Sequence, residues 1–186
     1  MALDASAGVY NLIGASLCFP TRWRLADKIG KPLSVIHAPI PGYDQELSSI
    51  MDRFFERLKV DKPVWRVNWS LIDDPTLFQP TGHGRTGLNP DINPQNAGDK
   101  VWIRMERQTL RRLPRTHDIL FTIRVYVRPL RELATHPERS AELASTIRTM
   151  PEPIRRYKSL PPFLDAVLAW LDAVTSSRAE NSSLTS

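Results

Sequence analysis

Three segments of this chain alternate between apolar and polar residues, and this pattern constrains the fold more than any other feature. They are residues 63–72 (PVWRVNWSLI), 101–110 (VWIRMERQTL) and 119–127 (ILFTIRVYV). A period of two residues is typical of β-strands with one apolar face. The link between the last two segments, RRLPRTHD, is short, so the sequence predicts that they form an antiparallel hairpin.

Helical patterns precede and follow these strands. Residues 44–58 (DQELSSIMDRFFERL) carry apolar side chains at helical spacing, with Asp44 as the predicted N-cap. Further helices are predicted from Pro137 onward and over residues 161–174 (PPFLDAVLAWLDAV). This arrangement predicts an α+β fold in which flanking helices cover the apolar face of an antiparallel sheet.

The remaining segments complete the predicted organisation of the 186 residues. Residues 8–19 predict a further strand, residues 20–30 a short helix and residues 79–99 a long loop. The length suits one domain over residues 1–174. The polar segment 175–186 (TSSRAENSSLTS) predicts a disordered tail.

The composition narrows the possible partners. The net charge is +5, with 19 arginines and 6 lysines. Guanidinium groups bind carboxylates and phosphates in a bidentate manner. The arginines are interleaved with apolar residues of the predicted strands and do not form a basic tail. This pattern favours a small anionic ligand over nucleic acid. No apolar run is long enough to span a bilayer and no secretory signal begins the chain, so we expect a cytoplasmic protein without membrane contact.

The polar face of the predicted sheet is the first candidate site. Such a face can simply be solvated, with weakly interacting charges. Directional hydrogen-bonding groups beside arginines and apolar residues are, however, also typical of a ligand-binding surface. The hairpin would bring Arg124 near Glu106. The face carries Arg66, Asn68, Arg104, Glu106, Gln108, Thr122, Arg124 and Tyr126.

His37 is the second candidate, in the segment 31–43 (KPLSVIHAPIPGY). Pro39 and Pro41 stiffen the chain after it and would fix the direction of the ring. A histidine in an apolar stretch is commonly a core residue that is hydrogen-bonded to the backbone. The other interpretation is an axial haem ligand, because neutral imidazole binds iron well. The residues alone leave both interpretations open.

The chain resembles one known family over most of residues 10–173. The segments that carry the resemblance include LCFPTRWRLADKIGKPLSVIHAPIPGY, PVWRVNWSL and RMERQTLRRLPRTHDILFTIRVYVRPL, and within them IHAPIPGY and ERQTLRRLP are the most specific. The family is the haem-dependent oxidative N-demethylase α-subunit-like family, formerly known only as a domain of unknown function. The resemblance implies a PAS-like domain that holds haem b, and the chain is expected to be short at its N-terminus relative to the family.

The resemblance also implies an activity and a set of partners. Family members use oxygen at the haem to remove a methyl group, as formaldehyde, from a small methylated amine. Electrons come from a separate NADPH-dependent reductase that carries flavin and an iron–sulfur centre. His37 matches the motif histidine and is the expected iron ligand. The polar pocket of the family corresponds to Arg66, Asn68, Glu106, Arg107 and Arg124.

Elementary chemistry suggests roles for these residues. Haem propionates are carboxylates, which suit Arg66, Arg104 or Arg124 as partners. A protonated amine requires a nearby anion, and Glu106 is the best candidate. We therefore expect His37, Arg66, Asn68 and Arg104 to bind haem, and Glu106, Arg107 and Arg124 to act in catalysis. A non-catalytic PAS-like module that binds haem or another small ligand is the alternative.

Overall fold

One antiparallel sheet of five strands organises the computed structural model, which describes residues 1–5, 9–43 and 47–183. The strands are β1 (Ala2–Asp4), β2 (Asn11–Gly14), β3 (Val64–Ile72), β4 (Trp102–Arg112) and β5 (Ile119–Pro129). Their order in the sheet is β2-β1-β5-β4-β3, and the short β1 pairs with both β2 and β5. The three strands predicted from alternation, β3, β4 and β5, are the longest of those described, and the predicted α+β class is confirmed.

Helices account for much of the remaining described chain. Short 3₁₀ helices lie at Leu25–Asp27, Leu130–Thr135 and Pro161–Phe163. No described helix is long and apolar enough to cross a membrane. The α-helices are α1 (Leu33–His37), α2 (Ser48–Arg57), α3 (Ala97–Lys100), α4 (Pro137–Thr149), α5 (Glu152–Tyr157) and α6 (Leu164–Ser183).

Several predicted boundaries differ from those observed. The strand expected over residues 8–19 is limited to β2, because β1 offers only three residues for pairing. The helix expected over residues 20–30 is reduced to the Leu25–Asp27 turn, since Arg22 has a left-handed φ of 61°. The predicted cap Asp44 lies outside the described residues, and Leu47 is the N-cap of α2. Helix α6 continues past residue 174, where the predicted domain ends.

The chain divides into two compact units, and β3, β4 and β5 contribute residues to both. The first comprises Met1–Asn68, Thr76–His83 and Met105–Tyr126, and the second Trp69–Pro75, Gly84–Arg104 and Val127–Ser186. Each has its own apolar core. The core of the first unit includes Leu3, Tyr10, Leu12, Leu33, Phe55, Leu58 and Ile119. The core of the second unit includes Leu71, Val101, Leu130, Ile147, Leu160, Val167 and Leu171.

Gly98 in α3 allows close packing against Trp170 within the second unit. A Cβ at this position would lie 2.7 Å from the Trp170 ring. Gly98→Ala is therefore expected to lower the free energy of unfolding by about 1–3 kcal/mol through overpacking. Urea denaturation measures this change, with Gly87→Ala as the control because its Cβ would meet nothing within 4 Å. Equal stability of the two variants would contradict this packing.

Candidate functional site

The segment IHAPIPGY folds into two consecutive tight turns after α1. The Ile40 N–H donates to the His37 carbonyl at 2.8 Å, and the Tyr43 N–H donates to the Ile40 carbonyl at 3.1 Å. Pro41 and Gly42, with a φ of 77° at the glycine, occupy the central positions of the second turn as a type II turn requires. The chain therefore doubles back, and the Tyr43 ring centroid lies 4.9 Å from that of His37.

His37 is half-buried, and its Nδ1 atom is enclosed by the fold. Burial lowers the pKa of His37 below its usual 6.5. The positive charges of Lys28 and Arg66 lower this pKa further, and a hydrogen bond between the imidazole and the Leu33 backbone opposes the shift. The imidazole is therefore neutral at pH 7, which is the form that binds a metal.

Lys28 supplies positive charge to the surroundings of both His37 and His83. Its Nζ donates to the Ile36 carbonyl at 3.0 Å and lies 5.3 Å from the centroid of the Trp23 ring. Burial lowers the pKa of His83 as well, and the charges of Lys28 and Arg22 lower it further. The two histidines thus share a cationic environment, which favours anionic ligand groups such as carboxylates.

A chain of hydrogen bonds connects Arg66 on β3 to Thr21. Arg66 Nε donates to Gln108 Oε1 at 2.9 Å, and Gln108 Nε2 donates to Glu106 Oε2 at 3.2 Å. Thr21 Oγ1 donates to the other oxygen of Glu106, Oε1, at 3.1 Å. Both carboxylate oxygens of Glu106 are therefore held by donors, so the group has a fixed orientation. We call these four residues the Glu106 network.

The other predicted site residues differ in their exposure. Arg107 is exposed, with its guanidinium 5.2 Å from the centroid of the Trp65 ring. Arg124 is also exposed and lies 5.2 Å from the centroid of the Tyr126 ring. Asn68 is exposed in the first unit, and Arg104 is fully buried in the second unit. Of the predicted set, Arg66 and Glu106 are joined through Gln108, and Arg66 also acts electrostatically on His37.

The register of the hairpin places Arg124 beside Arg107, where the sequence predicted Glu106. The Leu113 N–H donates to the Asp118 carbonyl at 2.8 Å, so these residues lie opposite each other. A regular continuation of that pairing places Arg124 opposite Arg107. Directly opposite residues of an antiparallel pair share a face. Neighbouring residues of a strand point to opposite faces, and Glu106 therefore lies on the other face.

Lys28 and Thr21 were not predicted as site residues from the sequence, and Gln108 was predicted only as a member of the polar face. Lys28 follows a 3₁₀ turn, where nothing in its local pattern distinguishes it from a solvated lysine. Thr21 is 85 residues from Glu106 in sequence, so their contact depends on the tertiary fold. Gln108 carried a usable signal, because it lies two positions from Glu106 and hence on the same face of β4.

The lowered pKa of His37 predicts that stability rises with pH. Below pH 6.5 the histidine of the unfolded chain becomes protonated, whereas native His37, with its lowered pKa, binds a proton only at lower pH. The unfolded state therefore binds more protons than the folded state, and the free energy of unfolding falls as the pH falls. Between pH 7.5 and 5.5 we expect the free energy of unfolding to fall more for wild type than for His37→Gln. Because a single proton is involved, this difference is no more than about 1.4 kcal/mol per pH unit. Urea denaturation at the two pH values measures the difference. Identical pH responses of the two proteins would contradict this assignment.

Taken together, the fold and these contacts define an α+β protein with a neutral, turn-braced histidine in a cationic environment and an oriented carboxylate. The family model described as haem-dependent oxidative N-demethylase, alpha subunit-like matches residues 1–168. The chain belongs to this family, which confirms the resemblance seen in the sequence. The family description names haem as the cofactor and, through the term alpha subunit, implies a partner subunit.

The chemistry of the described residues fits a haem group. The fold encloses Nδ1 of His37, and a hydrogen bond with the Leu33 backbone helps to orient the imidazole, as is usual for a histidine that binds a metal. The neutral imidazole suits iron, and the positive charges that act on it suit propionates. Within the described part of the chain, no group of three or more His, Cys, Asp or Glu residues is arranged to hold a metal ion.

Proposed function

We propose that this protein binds haem b through His37 and acts as the catalytic subunit of a haem-dependent oxidative N-demethylase. The observation that carries the proposal is the half-buried, neutral His37, braced by two turns in a cationic environment, within a family described as haem-dependent. When bound, haem supplies the activation of dioxygen that removal of a methyl group requires.

The residues around His37 provide the proposed haem environment. Tyr43 packs against the imidazole, and the two turns of the IHAPIPGY segment fix the backbone that carries it. Lys28 and Arg66 hold positive charge close enough to lower the pKa of His37, and we assign them to the propionates. Asn68 and Arg104 remain predicted haem-binding residues.

Glu106 is the proposed site for the cationic substrate. A small methylated amine is protonated at pH 7, and a carboxylate attracts it through its charge. Thr21 and Gln108 fix both oxygens of Glu106, so the carboxylate is oriented before the amine arrives. Arg107 and Arg124 remain predicted catalytic residues, in exposed positions against Trp65 and Tyr126.

The electrons for the reaction are proposed to come from a separate subunit. The alpha-subunit description supports the existence of a partner. The family resemblance points to an NADPH-dependent reductase with flavin and an iron–sulfur centre, and we propose that the complex acts in the cytoplasm.

Formaldehyde release from dimethylamine tests this function in haem-loaded protein that is supplied with a competent reductase. We expect turnover well above that of free haem. Glu106→Gln, which keeps the shape but removes the charge, should lower kcat/KM by about 100-fold. The matched control is Glu56→Gln, at an exposed position on α2. Haem binding with no turnover above free haem would support the non-catalytic binding module instead.

A further inference from the structure

Helix α2 exposes an apolar stripe beside the side chains that it buries. Leu47, Ile50 and Phe54 are 41 %, 51 % and 37 % exposed, although all three are large apolar residues. Their spacing of three and four places them on one side of the helix. Phe55 and Leu58 belong to the core of the first unit. Contiguous exposed apolar surface of this kind is typical of an interaction site.

Two grooves meet at Phe54. The first has a volume of about 250 Å³ and lies between the end of α2 and the start of β3. The second has a volume of about 340 Å³ and follows α2 itself. Both are open to solvent, so they can receive side chains of a partner but do not enclose a ligand. The grooves are lined by Ile50, Arg53, Phe54, Arg57, Leu58, Lys59, Lys62 and Val64, and we call this set the α2 groove.

The rim of the α2 groove is cationic. Arg53, Arg57, Lys59 and Lys62 are all exposed, and none of them forms an ion pair with a carboxylate in the described part of the chain. Arg53 and Arg57 follow Ile50 and Phe54 by three residues each, so they border the apolar stripe. The grooves therefore combine apolar walls with charges that are available to a partner.

We propose that the α2 groove binds an acidic, amphipathic segment of a partner protein. Apolar side chains of that segment enter the grooves beside Phe54, and its carboxylates meet the four cations. An anionic membrane would meet the same four cations, but its headgroups offer no apolar side chains for the two grooves. The proposal rests on charge complementarity at α2 and is independent of haem binding.

Fluorescence anisotropy with a labelled peptide tests the proposal. The probe is a fluorescein-labelled helical peptide with leucine on one face and glutamate on the other. The comparison peptide has the same composition but an order that distributes the leucines around the helix. We expect the full chain to bind the amphipathic peptide more tightly than the permuted one, and added salt to weaken that binding. Arg57→Glu combined with Lys62→Glu should weaken binding by at least about tenfold.

Matched variants and a lipid probe make the outcome decisive. Lys100→Glu combined with Arg111→Glu changes the net charge equally at exposed positions outside the groove, and should leave the affinity unchanged. Phe54→Ser should weaken binding without a charge change, with circular dichroism confirming the fold. Equal affinity for the two peptides, equal effects of the two charge-reversed proteins, or tighter binding to phosphatidylserine vesicles than to the amphipathic peptide would each overturn the proposal.

Discussion

Replacing Arg112 with alanine is expected to lower the free energy of unfolding by about 3–5 kcal/mol. Arg112 donates four hydrogen bonds, to the carbonyls of Phe55, Leu58 and His117 and to the Tyr10 hydroxyl. The Phe55 and Leu58 carbonyls lie at the C-terminal end of α2, where the Leu58 N–H donates to the Phe55 carbonyl at 3.2 Å and Arg112 is an additional donor. Loss of the guanidinium would therefore remove the side-chain donor from both carbonyls and detach the helix end from β4.

Arg111→Ala is the matched control for this prediction. Arg111 precedes Arg112 on β4 but is exposed, so its removal should change stability by no more than about 0.5 kcal/mol. Thermal and urea denaturation of the two variants measure the contrast. Similar stabilities would show that the bonds of Arg112 contribute little to the fold.

Replacing His37 with alanine is expected to weaken haem binding by more than about 100-fold. Loss of a residue that only hydrogen-bonds to a metal ligand commonly weakens metal binding by about 10–100-fold. Loss of the ligand itself should have a larger effect. Titration with haem, followed by absorbance in the Soret region, measures the affinity. Added imidazole should partly restore the spectrum of the variant by occupying the space that the side chain leaves.

His83→Ala is the control because His83 is also near Lys28 and has a lowered pKa. It lies in the glycine-rich loop, outside the IHAPIPGY segment that carries the family resemblance, so we expect this variant to keep its haem affinity. A Soret band that survives unchanged in His37→Ala, or that is lost only in His83→Ala, would exclude His37 as the ligand.

Alternating residues predicted β3, β4 and β5 as strands, but only β5 shows the alternating burial that the pattern implies. In β3 the apolar residues Trp65 and Val67 are 63 % and 52 % exposed, and in β4 Arg104 and Gln108 of the predicted polar face are buried. β1 has three residues, which are too few to show an alternating pattern. Its pairing with β2 and β5 therefore could not be predicted from its own sequence. The hairpin itself was predicted, but its register depends on the Leu113–Asp118 pairing, and a change of one residue moves Arg124 to the other face.

One part of the candidate site can be predicted from neighbouring residues in the sequence, and the other part depends on contacts between distant segments. Pro41 and Gly42 encode the turn beside His37 directly, because few other residues suit those backbone positions. The cationic environment is not encoded in this way, since Lys28 and Arg66 reach His37 only in the folded chain. The Glu106 network likewise joins segments far apart in sequence.

Resonance Raman spectroscopy of the ferrous, haem-loaded protein tests His37 as the iron ligand most directly. The protein is prepared with and without isotopic labelling of the histidine nitrogens. If His37 binds the iron, wild type shows an iron–histidine stretching band that shifts on labelling, and His37→Ala lacks this band. A wild-type spectrum without such a band, or a labelled band that persists in His37→Ala, would contradict the assignment.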